Sequence, residues 1–116
     1  MDKGNADLIF GIPKDILSYY FGHFLRDIFN LYGITADIIG DKIGITRQTI
    51  SNICKRSIDL PIYYTISIAY ILMNDYNIKI NLDKEKNLIL YGLSNKYGSF
   101  VTTKITKDKI FFEGEI

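Results

Sequence analysis

The chain has 116 residues, a formal net charge of +1, 47% hydrophobic and 14% aromatic residues and no tryptophan, which excludes a disordered tail and leaves one domain with a modest core or a small bundle with an appended element. A balance so close to neutral excludes an avid nonspecific nucleic-acid binder, although charge is local: between Lys42 and Arg56 there are four basic residues and no acidic one. The single cysteine excludes an internal disulfide and suits a reducing cytosol, no hydrophobic run is long and unbroken enough for a bilayer, and MDKGNADL lacks a signal peptide's apolar core, so a cytoplasmic protein is expected.

The first dozen residues carry little pattern and include Gly4, Gly11 and Pro13, which reads as an arm or linker. From Lys14 to Tyr32 the residues Ile16, Leu17, Tyr20, Phe21, Phe24, Leu25, Ile28 and Phe29 recur at three- and four-residue spacing, the pattern of a helix that Pro13 is well placed to open. Its apolar excess gives Tyr19, Tyr20 and Phe21 two readings, a core stripe or a contact with a second subunit. Gly33 ends this helix. Thr35 is a good N-cap for a short helix from Ala36, whose Ala36, Ile39 and Ile43 face one side while Asp37 and Asp41 face the other. Gly40 costs such a helix about 1 kcal/mol relative to alanine, which makes sense if the next helix passes close to the backbone there. Gly44 turns the chain and Thr46 caps the following helix at once.

In that second helix Ile53, Cys54 and Arg47 fall within roughly 60° of Ile50, and Gln48, Ser51, Asn52 and Lys55 on the other side. The outer groups are amide, hydroxyl and amine. They suit a major groove, since Gln and Asn pair bidentately with adenine and Lys reaches guanine or phosphate. Arg47 and Thr49 lie at the edge of this face, where side chains more often meet the sugar-phosphate backbone, and Lys55 with Arg56 extends the positive charge. Residues 57–60 read as a connector. Pro61 then opens a helix with a packing face of Ile62, Ile66, Ala69, Tyr70 and Met73, and from Asn74 to Asp83 the chain turns polar. NLILYGL fits either a third strand or a short helix, while FVTTKI and IFFEGEI flank TKDK as a β-hairpin whose apolar IFF segment and strand edges suit a partner. The stretch from Lys84 to Lys109 is basic on balance, either a solvated surface or a contact with flanking phosphates.

The run LRDIFNLYGITADIIGDKIGITRQTISNI, with LPIYYTISIAYIL after it, resembles the phage-repressor type of helix-turn-helix, the Xre-like or lambda-repressor-like DNA-binding domain, over about half the chain. Leu25 and Arg26, Gly33 with Ile34 and Thr35, Gly44 with Ile45 and Thr46, the RQTISNI segment, and Pro61 with Ile68, Ala69 and Leu72 carry the resemblance. It implies a compact helical bundle that binds DNA as a dimer, with Gln48, Thr49 and Asn52 facing bases and Arg47 and Ser51 beside them. The chain departs from the pattern at Ala36, where a phosphate-touching glutamine is frequent, at Gly40, where alanine is general, and at Cys54, which replaces a short polar residue. Beyond Met73 no fifth helix is recognised.

An enzyme reading finds no support, and no catalytic residue, metal or cofactor is expected. His23, the only histidine, sits in the apolar first helix as packing or surface decoration, Cys54 reads as a buried filler, and no nucleophile stands beside a candidate base. The expected fold is mainly α, a compact four- or five-helix bundle with a helix-turn-helix plus a C-terminal extension containing a β-hairpin. Residues 1–78 would form the DNA-binding domain with its arm, and 79–116 the extension and a dimerisation element. The expected partner is double-stranded DNA, read by a homodimer with no membrane association. Gln48, Thr49, Ser51 and Asn52 would contact bases, and Lys42, Thr46, Arg47, Lys55 and Arg56 phosphates. The alternative is a protein-interaction module, an antitoxin or phage-type adaptor, with the helix-turn-helix as scaffold and the C-terminal extension binding a protein.

Overall fold

Helix formation starts from the apolar repeat between Lys14 and Tyr32, and the computed structural model, which describes residues 8–55 and 60–114, makes of it a single 19-residue helix, α1 (Lys14–Tyr32). Leu17, Tyr20, Phe21, Leu25, Ile28, Phe29 and Tyr32 are buried along it, so Tyr20 and Phe21 belong to the core while Tyr19 stays exposed. Gly33, in the left-handed region at φ 71°, ends the helix. Helices α2 (Ala36–Ile43) and α3 (Arg47–Cys54) follow, then α4 (Ile62–Tyr70), which runs on into a π-helical turn over Ile71–Asp75. Residues 57–59 of the expected connector and residues 1–7 of the expected arm lie outside the described residues.

The mainly helical expectation is corrected: the fold is mixed α/β, with two separate antiparallel sheets. The smaller one lies in the segment read as a linker, where β1 (Leu8–Ile9) pairs with β2 (Ile12–Pro13) around Phe10 and Gly11. Both turn residues have positive φ, 54° and 80°, the signature of a tight type I′ hairpin turn. A phenylalanine rarely takes that conformation. Here its ring meets Tyr70 edge to face at 4.9 Å, a contact between residues far apart in sequence.

The larger sheet is a meander of β3 (Lys79–Leu82), β4 (Leu88–Ser94), β5 (Ser99–Ile105) and β6 (Ile110–Gly114) in that spatial order. NLILYGL is therefore a strand, and the hairpin expected at the end of the chain is half of a four-stranded sheet. Alternation decides its faces: Ile80, Leu88, Leu90, Val101, Thr103 and Ile105 point inward and are buried. This inner face covers a second side of α1, which is why that helix is apolar beyond the needs of a helical bundle. In the buried interior the Tyr32 hydroxyl lies 3.3 Å from Thr103 Oγ1, and burial raises the Tyr32 pKa, keeping the phenol protonated. The helix α4 also differs from expectation. Its buried residues are Thr65, Ile68 and Ala69, whereas Ile62 and Tyr70 are exposed, because IYYTISIAY is apolar on almost every side and its periodicity selects no face.

No helix among the described residues is long and apolar enough to cross a membrane. One close approach fixes how the chain enters the sheet: a Cβ on Gly92 would lie 2.8 Å from Ile78 Cγ1 and 3.1 Å from Ile78 Cα. Gly92→Ala is accordingly expected to lower stability by about 1–3 kcal/mol, the range for overpacking a tight core, read as a lower urea midpoint at unchanged slope.

Candidate functional site

Two short helices at a sharp turn set the geometry of the candidate site, and each depends on its cap. The Thr35 side chain accepts from Ile38 N–H at the start of α2, with Asp37 in the first turn. Gly44, at φ 85°, closes α2 with its N–H on the Gly40 carbonyl, and Ile45 N–H shares that carbonyl at 3.0 Å. Thr46 then caps α3, its Oγ1 accepting from Thr49 N–H at 3.2 Å. Gly40 is buried, and a Cβ there would stand 2.7 Å from the Ile45 carbonyl oxygen. The close approach inferred from sequence is thus to the turn leading into α3.

Packing orients α3 through Ile50 and Ile53, both buried, while Gln48 is exposed on the opposite side. Gln48 Nε2 donates to Asn52 Oδ1 at 3.0 Å, one helical turn on. That bond engages Gln48 Nε2 and Asn52 Oδ1 and leaves Gln48 Oε1 as an acceptor and Asn52 Nδ2 as a donor, the group types that the adenine N6 donor and N7 acceptor take. Asn52 and Ser51 are half-buried. Thr49 is half-buried as well, and its hydroxyl lies 3.0 Å from Thr46 Oγ1, so these two side chains serve the cap first.

The basic residues divide into different settings. Arg47 is exposed, with its guanidinium 3.8 Å from the Asp37 carboxylate, a surface pair of small energetic weight. Lys55, exposed, forms the C-terminal cap of α3. Lys42 lies across α2 in an ion pair with Asp75 at 2.9 Å, and its hydrogen bond to that carboxylate raises its pKa, so a phosphate contact would have to replace this pairing. Arg56 lies outside the described residues.

Sequence spacing did not bring Arg26 and Lys107 to this region. An open groove of about 1030 Å³ runs between α1, the end of α3 and the β5–β6 turn, and Arg26, Lys55 and Lys107 line it with His23, Asp27 and Asp108. Among the described residues none of these three cations has an ion-pair partner. Tyr19 and His23 lie along one wall with their rings tilted at 32° and centroids 4.3 Å apart, and His23 Nδ1 is 3.0 Å from the Tyr19 carbonyl oxygen. Cys54 also reaches the groove, and burial raises its thiol pKa to about 11, against a smaller lowering by Arg26. No three His, Cys, Asp or Glu side chains among the described residues group to hold a metal ion.

No protein-family model matches the chain, and no curated protein or solved structure matches it.

Gly40→Ala is expected to lose stability by about 1–2 kcal/mol in urea denaturation despite its better helix propensity, because the new methyl meets a backbone carbonyl rather than a yielding side chain. The Cys54 thiol, with a pKa of about 11, should be alkylated by iodoacetamide at pH 8 roughly a hundredfold more slowly than an unperturbed cysteine. Unfolding in urea should restore the ordinary rate, and a fast reaction in the folded chain would show that the thiol is not shielded.

Proposed function

We propose that the chain is a sequence-specific DNA-binding regulator, most simply a dimeric repressor that places α3 in the major groove of a two-fold symmetric operator. The observation that carries this reading is the Gln48–Asn52 amide pair on the outer face of a helix whose inner face is anchored by Ile50 and Ile53. A pair of amides that hold each other loses little freedom on meeting a base, and its open acceptor and donor match adenine better than any phosphate. Thr49 and Ser51 border the same face. Thr46 and Arg47 at the start of α3, and Lys55 at its end, would meet the sugar-phosphate strands, with Arg26 and Lys107 standing in the groove beside Lys55 among Asp27 and Asp108. A DNA-reading role puts the protein in the cytoplasm, in accord with its single unpaired cysteine. Two copies of α3 would enter successive major grooves about 34 Å apart.

Selection of bound oligonucleotides from a random duplex pool, at a stated salt concentration, tests the reading. A symmetric motif should emerge, and Gln48→Ala and Asn52→Ala should each relax choice at one or two positions, costing about 1–3 kcal/mol. Unchanged preference in both variants removes α3 as the reading element, and a stoichiometric protein partner with no selected motif would favour the protein-interaction reading.

A further inference from the structure

The last strand leaves the sheet with an unusual edge. β3, at one side of the meander, exposes Lys79 and Asn81, a polar border of the kind that blocks pairing with another chain. β6, at the other side, runs in continuous register with β5 from Ile110 to Gly114, with no proline or bulge, and exposes Phe111 (45%) and Phe112 (43%). Phe112 lies on the inner face and is stacked on Tyr97 at 5.0 Å, whereas Phe111, opposite Lys104, stands on the outer face.

We infer that β6 pairs with β6 of a second copy of this chain, antiparallel, about a two-fold axis at Phe111. The charges specify both the partner and the register. Lys109, Phe111 and Glu113 occupy alternate positions, and Phe111 and Glu113 share the outer face, opposite Lys104 and Thr102. Rotation about Phe111 sets Lys109 of each copy opposite Glu113 of the other and brings the two Phe111 rings together. The same rotation puts Ile110 opposite Phe112 on the inner face, so the apolar inner row continues across the junction. Moving the axis one residue, to Phe112, would instead oppose Phe111 to Glu113. Only the register at Phe111 matches charge with charge and ring with ring.

The backbone agrees with this register. Thr106 N–H donates to the Lys109 carbonyl at 2.8 Å, which turns the main-chain groups of Lys109 and Phe111 toward β5 and, by the alternation of an antiparallel ladder, leaves those of Ile110 and Phe112 at the open edge. The Phe111 pair then occupies a non-hydrogen-bonded position, where opposed side chains approach most closely. Among the described residues Lys109 and Glu113 have no ion-pair partner within their own chain. Pairing would join two four-stranded sheets into one and cover the apolar border of each.

This association supplies the dimer that the DNA reading assumes, but it is measured without nucleic acid, so a failure of the β6 pairing is distinguishable from a failure of base reading by α3. The test is sedimentation velocity on the full-length chain across the micromolar range, with circular dichroism confirming that each variant is folded. A reversible dimer is expected. Lys109→Glu and Glu113→Lys should each raise its dissociation constant by at least roughly tenfold, since each sets like charges opposite one another twice per dimer. An equimolar mixture of the two variants should recover the original association as a heterodimer, because a carboxylate again faces an ammonium at both positions. A chain that stays monomeric, a dimer indifferent to both substitutions, or variants that fail to recover on mixing would overturn the inference.

Discussion

The end of α1 is where the molecule is held together. A helix leaves its last carbonyls without partners, and here two of them are taken by the turn between β4 and β5: Ser94 Oγ donates to Leu31 O at 2.6 Å and Asn95 N–H to Tyr32 O at 3.2 Å. Ser94 Oγ also accepts from Tyr97 N–H, so one buried hydroxyl joins the helix end to the strand turn. Gly33 sits in the same place. Its left-handed backbone directs the chain into α2, and the space where a Cβ would project is filled by Asn95, 2.9 Å away. The sheet and the α2–α3 pair are thus oriented relative to each other through three consecutive residues, Leu31, Tyr32 and Gly33.

That arrangement explains how so short a helix presents a defined face. An isolated eight-residue helix is unstable in water, so the direction in which Gln48 and Asn52 point comes from packing and not from propensity. Ile50 and Ile53 supply the contacts with the core, Thr46 satisfies the first turn, and Gly40 lets the approach from Ile45 close down. Two turns into α1 from its start, the Tyr20 hydroxyl donates to Lys86 O at 2.8 Å, so turns of the sheet hold the helix in its first half as well as at its end.

What could be read from the sequence was local. Thr35, Gly44 and Thr46 mark caps and a turn through interactions spanning three or four residues, and the structure places them as the sequence indicates. The boundaries of α1 follow from Pro13, Gly33 and a long periodic run. The outward face of α3 was legible because polar and apolar residues alternate around it. Non-local features were not. β3 has only four residues, preceded by Asn77 at positive φ, and its single buried alternation at Ile80 is too short for periodicity to register. Phe10 takes its place in a hairpin turn with its ring against Tyr70, a partner far away in sequence. Lys42 looked like a free cation until folding brought Asp75 beside it, and Arg26 meets Lys55 and Lys107 only across the groove.

The proposed pairing edge and the proposed reading helix are linked by the turn between β5 and β6. Lys109 closes that turn, its carbonyl accepting from both Thr106 N–H and Thr106 Oγ1, and two residues earlier Lys107 borders the groove that Lys55 enters from the end of α3. The Lys107 carbonyl lies 3.5 Å from the Tyr19 hydroxyl, which ties the turn to α1 by a long, exposed contact and leaves Tyr19 as one wall of the groove. Such a turn has little to hold it besides its own hydrogen bonds. Fixing Lys109 against a second copy would therefore restrain Lys107 as well, and with it the charged flank at the end of α3, where Arg26, Lys55 and Lys107 stand among Asp27 and Asp108. The chain carries a net charge of only +1, so the position of each cation along that flank matters more than the total. An assembly that consumes Lys109 in a pair with Glu113 withdraws one charge of each sign, leaving the balance intact while ordering the cations that remain.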